Sequence, residues 1–212
     1  ELSEQFPIAR KLLEAMNISV LELEGYEADD IIGTFALHKS DEAEVIIVTG
    51  DRDELQLLKD NVKVFYTKRG ITDIQEFDVE EFKANYEGLE PSQLVDLKGL
   101  MGDASDNIPG VPGVGPKTAM KLIAEYQSVE NVLANIEEIK GKSLKEKLEE
   151  NKEKAILSKQ LARIFTDVPI ELDLEQHLLK GMKPDAKALM QELEFRNLWE
   201  RFAAVLGSGE PE

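Results

Sequence analysis

The sequence predicts an α/β domain with a parallel sheet, followed by a mainly helical domain. Segments typical of strands and helices alternate over residues 1–90, which is the order of a layered α/β fold. The run VIIV at 45–48 is apolar at four successive positions, as expected of a strand that is covered on both faces. From residue 91 onward the apolar spacing is helical, so we place a domain boundary near residues 87–91.

Three helices and three strands are predicted in the first domain. Residues 6–16 have the periodicity of an amphipathic helix, and residues 19–23 alternate in polarity like a short strand. Residues 27–36 are predicted to be helical because their apolar side chains form one stripe. The remaining predicted elements are the central strand at 43–48, a short helix at 53–58 and another strand at 62–67.

The second domain is predicted to be built from helices. The helical stretches are 91–102, 115–126, 128–136 and 143–164. The chain ends in GSGEPE, which is typical of a flexible linker or tail. The predicted organisation is therefore an α/β core at 1–90, a helical domain at 91–203 and a linker or tail at 204–212.

Composition limits the class of protein. The 212 residues contain no run of about 18 apolar residues and no signal-peptide pattern, so we expect no association with a membrane. Cysteine is absent, which fits a reducing cytoplasm and excludes a thiolate metal site. The net charge of −18 is uneven: residues 1–110 carry −15, residues 111–163 carry +2 and residues 164–212 carry −5. Only the middle segment is suited to a polyanionic partner.

Acidic residues cluster in three places that are predicted to be strand ends or turns. Asp51 and Asp53 follow the central strand, and ligands of open α/β sheets bind beyond such strand ends. The second cluster opens a helix and the third lies between glycine-bearing turns. Their members are Glu27, Asp29 and Asp30, and Asp103 and Asp106. A solvated loop, the helix dipole and Asx turns are alternative explanations of the three clusters taken singly.

Taken together, the seven carboxylates predict a metal site. Clustered carboxylates raise one another's pKa unless a cation neutralises them. Oxygen ligands without His or Cys favour Mg²⁺ or Mn²⁺ over zinc. Two such ions about 4 Å apart are a known device for hydrolysing phosphodiesters.

A glycine-rich turn in the non-acidic segment predicts a second site. Gly113, Val114 and Gly115 precede a helix that begins near Pro116, with Lys117 beside the exposed amides. Such a helix start can bind a phosphate. An ordinary helix–turn–helix with a glycine corner is the alternative. Four lysines follow in the chain and favour nucleic acid, although they also fit a solvated helix face: Lys140, Lys142, Lys145 and Lys147.

Four stretches carry a resemblance to a known family. They are YEADDIIGTFA, VTGDRDELQLL, VDLKGLMGDASDNIPGVPGVGPKTA and ELEFRNLWERF. They closely resemble the 5′-nuclease domains of bacterial DNA polymerases of type I, which belong to the structure-specific 5′-nuclease, or flap endonuclease, family. The resemblance runs from about residue 1 to about residue 203.

The resemblance implies a PIN-like or resolvase-like nuclease core followed by a helix–three-turn–helix DNA-binding domain. It implies Mg²⁺-dependent 5′→3′ exonuclease and flap-endonuclease activity on duplex DNA with a 5′ flap or 5′ end, and on RNA primer–DNA junctions. The seven acids would hold two metal ions directly or through water, with Asp51, Asp53, Asp103 and Asp106 as the catalytic set. The turn at Gly113, Val114, Gly115, Lys117 and Thr118 would grip duplex DNA through its backbone, often with K⁺. A covalently linked polymerase domain and a place in the bacterial cytoplasm, at the nucleoid, are implied as well.

Members of the family begin with a further strand that carries a metal-binding aspartate, then a second aspartate and a basic helical arch. The stretch ELSEQFP at the start of this sequence matches the part that follows the arch. We therefore expect an N-terminally truncated core, for which a catalytically incomplete duplex-binding fragment is an alternative. A PIN-like ribonuclease is another alternative, although these enzymes lack the glycine hairpin. A Mg²⁺-dependent phosphatase is the weakest, because no phosphoryl-accepting aspartate motif is present.

Overall fold

The computed structural model describes residues 2–70, 72–195 and 197–206. The chain divides into two compact units. One is formed by residues 26–169, and the other by the described parts of segments 1–25 and 170–212. The predicted boundary near 87–91 divides the chain by composition and stays a prediction. Residues 207–212 of the predicted tail lie outside the described residues.

A three-stranded mixed sheet forms the β layer of the larger unit. Its strands are β1 (Val45–Thr49), β2 (Val62–Arg69) and β3 (Asp73–Phe77), in the order β1-β2-β3. β1 and β2 are parallel, with Val45 opposite Val62. β2 and β3 are antiparallel, with Val64 opposite Phe77. The α/β class is confirmed, but the sheet is not wholly parallel. β3 was not predicted, because DIQEF contains few apolar residues. The strand forms because it pairs with β2.

The prediction that the strand at 43–48 is central and covered on both faces is wrong for the described sheet. β1 pairs only with β2 among the described residues, and its burial alternates. Ile47 is buried, whereas Ile46 and Val48 are 48% and 64% exposed. An apolar run shows that a strand can be buried on both faces, but neighbouring elements decide whether it is.

The predicted strand at 19–23 is wrong as well. Residues 18–23 have no regular secondary structure. Asn17, just before them, has a positive φ of 61°, which turns the chain after the first helix. Alternating polarity over five residues produces a strand only where a partner strand supplies the hydrogen bonds, and none of the described residues does so.

Helices make up most of the described chain. The α-helices are α1 (Phe6–Ala15), α2 (Ala28–Lys39), α3 (Val79–Asn85), α4 (Leu94–Met101), α5 (Pro116–Tyr126), α6 (Val129–Ala134), α7 (Lys142–Glu150), α8 (Lys152–Leu161), α9 (Ala186–Glu192) and α10 (Leu198–Leu206). The 3₁₀-helices are Asp53–Leu57, Pro91–Gln93, Ile136–Glu138 and Leu174–His177. The predicted helices near 6–16, 27–36 and 115–126 are confirmed. The stretch 143–164 forms two helices rather than one, because the chain breaks at Asn151, where φ is −122°.

One core joins the sheet to the helices of the larger unit. α4 packs against α5, α6 and α8, and its Leu97 and Leu100 are almost completely buried. Val62 and Val64 of β2 belong to the same core. Because α4 is central to this core, the residues at its C-terminal end are held firmly relative to the end of β1.

The smaller unit has a separate core. α1 contacts α9, and α9 contacts α10. Met16, Met182 and Met190 are buried there, with Trp199 and Phe202 packed against them. Trp199 therefore packs between helices. None of the helices in the described ranges has the length and apolar composition that crossing a bilayer requires.

Candidate active site

The first acidic pair lies in a tight turn at the carboxyl end of β1. The backbone N–H of Asp51 donates to the hydroxyl of Thr49 at 2.9 Å. The Oδ1 atom of Asp51 then accepts the backbone N–H of Asp53 at 2.9 Å, and Asp53 begins the 3₁₀-helix. The Asp-x-Asp spacing thus forms an Asx turn that holds both carboxylates at the strand end.

The second cluster lies at the start of α2. The Oδ2 atom of Asp30 accepts the backbone N–H of Glu27 at 3.1 Å. Its Oδ1 atom accepts the backbone N–H of Phe165 at 2.9 Å. Asp30 therefore orients the helix start and the segment around Phe165, while each of its oxygens keeps a second lone pair for a cation.

The third pair lies in a closed loop after α4. Backbone hydrogen bonds in both directions join Asp103 to Ile108, at 2.9 and 2.8 Å. The Oδ1 atom of Asp103 accepts both the backbone N–H, at 2.9 Å, and the hydroxyl of Ser105. The loop between Asp103 and Ile108 also carries Asp106, so the two carboxylates are kept close.

The structure brings the predicted acids together. Carboxylate oxygens of Asp53, Asp103 and Asp106 all lie within 4.8 Å of one another. A cleft of about 330 Å³ is lined by acids from all three clusters: Glu27, Asp29, Asp30, Asp51, Asp53 and Asp106. All seven predicted carboxylates therefore lie in or beside one site. Oxygen atoms at this spacing fit a hard divalent cation.

Lys98 is a residue of this site that the sequence analysis missed. Its side chain is 5% exposed, and its Nζ atom contacts Asp53 and lies 2.6 Å from Asp103 and 3.9 Å from Asp106. The signal was a single lysine, five residues before Asp103, in the mainly apolar helix α4, whose other charged residue is Asp96. Burial alone would lower the pKa of Lys98, but its hydrogen bonds to Asp103 and Asp53 outweigh burial and raise that pKa.

Burial and mutual repulsion shape the charges of the acids. Burial raises the pKa of Asp29, and the nearby charge of Asp51 raises it further. Burial also raises the pKa of Asp53, and the contact with Lys98 offsets this only in part. For Asp103 the hydrogen bonds from Lys98 and Ser105 outweigh burial, so its pKa is lowered. Raised pKa values at Asp29 and Asp53 mean that a further cation would be stabilised there.

Glu54 is a second residue that the sequence analysis missed. It is 2% exposed, and its Oε1 atom accepts the hydroxyl hydrogen bond of Thr49 at 3.0 Å. Burial, reinforced by the charges of Asp29 and Asp51, raises the pKa of Glu54 to about 7. Glu54 thus fixes the same Thr49 hydroxyl that accepts the N–H of Asp51.

Replacing Glu54 with glutamine is expected to stabilise the protein by about 2 kcal/mol at pH 8 and to change its stability little at pH 5. The pKa of Glu54 is raised from 4.5 in the unfolded chain to about 7 in the fold. The folded state therefore disfavours ionisation, and wild-type stability falls as pH rises through this interval. Glutamine still accepts the Thr49 hydrogen bond but does not ionise. Urea unfolding with EDTA at both pH values measures the effect.

The matched control is Glu24→Gln, which changes an exposed glutamate in the smaller unit. Its unfolding free energy should differ from that of the wild type equally at pH 5 and pH 8. If Glu54→Gln also changed the unfolding free energy equally at pH 5 and pH 8, the raised pKa of Glu54 would be contradicted.

The predicted DNA-binding turn is separate from the acidic cleft. Gly113 has a φ of 79°, and a Cβ atom at this position would lie 2.5 Å from Nζ of Lys147. The carbonyl of Gly115 accepts the N–H of Thr118 at 3.0 Å, so α5 starts directly after the turn. Lys117 is exposed. Val114 is 3% exposed and belongs to the core of the larger unit, so its side chain packs inward.

Two family models match this chain. The model of the 5′-3′ exonuclease N-terminal resolvase-like domain matches residues 1–87. The model of the 5′-3′ exonuclease C-terminal SAM fold matches residues 89–187. The fold is thus a resolvase-like α/β domain joined to a helical SAM fold, which confirms the predicted fold class. The chain belongs to the 5′-3′ exonuclease family.

Two DNA polymerase I sequences support this assignment. The chain is 53% identical over 203 residues to DNA polymerase I of Bacillus caldotenax and 51% identical over 203 residues to DNA polymerase I of Bacillus subtilis. Each match covers 95% of this chain and 23% of the relative. The chain therefore spans about a quarter of the length of these relatives.

Solved structures show the same fold at low sequence identity. T5 5′-exonuclease with bound zinc is 20% identical, with a TM-score of 0.65, over 99% of this chain and 68% of that one. The catalytic core of Rad2 in complex with a DNA substrate is 18% identical, with a TM-score of 0.62, over 96% of this chain and 67% of that one.

Proposed function

We propose that this chain is a structure-specific 5′→3′ exonuclease and flap endonuclease that hydrolyses phosphodiester bonds of DNA. The observation that carries the proposal is the convergence of three acidic segments, distant in sequence, at one cleft beyond the end of β1. Such a concentration of negative charge would repel a DNA backbone unless cations lie between the carboxylates and the phosphates. The arrangement therefore suits metal-assisted phosphodiester hydrolysis.

The donor set favours two Mg²⁺ or Mn²⁺ ions. Asp53, Asp103 and Asp106 would hold one, while Asp29 and Asp51 are the best-placed ligands for the other. When bound there, ions of this kind would supply a water of lowered pKa and would neutralise negative charge at the phosphate. The carboxylates orient the ions, and none of them needs to act as a covalent nucleophile.

Arg163 is the basic residue of the cleft lining and is suited to attract a phosphate. The backbone on both sides of it is fixed by Gln56. The Nε2 atom of Gln56 donates to the carbonyl of Ala162 at 3.0 Å, and its Oε1 atom accepts the N–H of Ile164 at 3.1 Å. The exposed side chain of Arg163 extends from this fixed backbone, and its guanidinium can bind phosphate oxygens through two hydrogen bonds.

The turn from Gly113 to Lys117 would bind duplex DNA through its backbone. The exposed start of α5 and the ammonium groups of Lys117 and Lys147 suit phosphate oxygens. A K⁺ ion at the turn would add to this contact. Contacts of this type follow the shape of the duplex and not its sequence.

Replacing Lys117 with alanine is expected to weaken duplex binding about threefold to tenfold and to lower the salt dependence by about one counterion. The side chain is exposed and lies at the start of α5, so its loss should leave the fold intact. Fluorescence anisotropy with a labelled duplex at several salt concentrations measures both quantities. Lys83→Ala is the control. Lys83 lies on α3, outside the turn, and its Nζ atom is 2.9 Å from a carboxylate oxygen of Glu90. Equal losses in the two variants would argue against a specific role of the turn.

The wider role is proposed from the relatives. DNA polymerase I relatives suggest a covalently linked polymerase domain and a place in the bacterial cytoplasm at the nucleoid. Substrates would be duplexes with a 5′ end or 5′ flap, and RNA primer–DNA junctions. Cleavage of an end-labelled 5′-flap duplex, with and without Mg²⁺, tests the proposal. Duplex binding without cleavage would instead favour a DNA-binding fragment.

A further inference from the structure

A lysine stands among the carboxylates that are suited to bind a metal ion. Lys98 contacts Asp53, and its Nζ atom lies 2.6 Å from Asp103 and 3.9 Å from Asp106. These are the same three acids whose oxygens lie within 4.8 Å of one another. The ammonium group therefore occupies the neighbourhood that a divalent ion would occupy. Its side chain is only 5% exposed, so α4 and its surroundings hold it there.

The two halves of the site differ in their charge compensation. Asp53, Asp103 and Asp106 are partly neutralised by Lys98. In the described residues no ion pair links the other four acids to a basic side chain. Those four are Glu27, Asp29, Asp30 and Asp51. Arg163 lines the same cleft but forms no ion pair with these four acids among the described residues. A divalent ion that binds at Asp29 and Asp51 therefore displaces no paired cation, whereas one that binds at Asp103 and Asp106 meets the ammonium group of Lys98 within a few ångströms.

We propose that Lys98 is a resident cation that holds Asp53, Asp103 and Asp106 together in the metal-free protein and competes there with a divalent ion. The two halves of the site then fill in order. The half containing Asp29 and Asp51 binds first and more tightly, and the half containing Asp103 and Asp106 binds more weakly because the ammonium must move aside. The lysine side chain is a flexible stem of four carbons, so the ammonium group can move aside without a shift of α4. This inference rests on the proposed metal site and adds an order of occupancy to it.

The test is Mn²⁺ binding to the whole chain, which isothermal titration calorimetry and electron paramagnetic resonance of free Mn²⁺ measure independently. The wild type is expected to show two unequal sites. Lys98→Met removes the charge while it keeps an apolar stem of similar length. It should tighten the weaker site at least about tenfold, because a positive charge close to the ion is removed. It should also lower the melting temperature of the protein in EDTA, because three close carboxylates lose their shared cation.

Lys159→Met is the matched control. Lys159 also lies between two carboxylates, with Nζ 2.7 Å from Asp96 and 2.7 Å from Glu130, and its side chain is 12% exposed. Neither of these acids lines the cleft. Its loss should lower the melting temperature but leave both Mn²⁺ affinities unchanged. Lys98→Arg keeps the positive charge, so its weaker Mn²⁺ site should stay as weak as in the wild type. If Lys98→Met does not fold without metal, Lys98→Arg becomes the test, and a tightened weaker site in this variant would contradict the inference.

The outcomes separate this inference from the proposed function. A wild type that binds no Mn²⁺ would overturn the metal site itself. Two Mn²⁺ sites with an unchanged or weakened second site in Lys98→Met would overturn the role of Lys98 alone. A tightened site in Lys98→Met, with Lys98→Arg and Lys159→Met resembling the wild type, would support it whether or not the chain cleaves DNA.

Discussion

Replacing Asp51 with asparagine is expected to lower the rate of 5′-flap cleavage about 10³-fold or more, with little change in stability. Asp51 lines the cleft beside Asp29, and among the described residues neither of these two acids forms an ion pair with a basic side chain. Removing one carboxylate there removes several kilocalories per mole of charge stabilisation around a divalent ion. An asparagine Oδ1 can still accept the N–H of Asp53, so the Asx turn should survive.

Single-turnover cleavage of an end-labelled flap duplex in Mg²⁺ measures this effect, and EDTA should abolish cleavage by the wild type. Asp41→Asn is the control, because Asp41 is an exposed acid in a turn that does not line the cleft. Its rate should equal that of the wild type. Cleavage by Asp51→Asn at more than a tenth of the wild-type rate would show that Asp51 does not hold an essential ion.

Replacing Gly110 with alanine is expected to lower the free energy of unfolding by about 3 kcal/mol or more. Gly110 has a φ of 59°, and a Cβ atom there would collide with the backbone of Gly102, lying 2.6 Å from its Cα atom. The atoms in the way are backbone and cannot turn aside as a side chain would. The N–H of Gly110 also donates to the buried hydroxyl of Ser158 at 2.9 Å. The close approach of Gly102 and Gly110 closes the loop that carries Asp103 and Asp106, so cleavage should be lost as well.

Urea unfolding with EDTA measures the loss of stability. Gly50→Ala is the matched control, since its backbone needs no positive φ and a Cβ atom would lie 3.5 Å from Thr67, an ordinary contact. We expect it to change the unfolding free energy by less than about 1 kcal/mol. If both glycine substitutions cost the same, the closed loop is not the source of the stability.

Local patterns predicted the acidic clusters and several helices, among them α1, α2 and α5, but they gave no separate prediction for α3, α9 or α10. They failed where neighbouring elements decide the structure. The strand predicted at 19–23 does not form, since alternation in polarity supplies no hydrogen-bonding partner. β3 forms although its sequence is mostly polar, because β2 lies beside it. Ile46 and Val48 stay exposed in an apolar strand for the converse reason, as no described element covers them.

By itself, the sequence determined where the acidic clusters and the glycine turn lie, which are the residues proposed to form the functional sites. Three acidic clusters at strand ends and turns, together with a glycine turn before a helix, followed from residue type and spacing, which are local properties. Only the tertiary structure decided how these residues meet. It joined Asp53 to Asp103 and Asp106 in one cluster, and it inserted Lys98 between them. It also buried Glu54 beside Thr49. Distances across the chain and the loss of water around a charge depend on packing, and no local pattern encodes them.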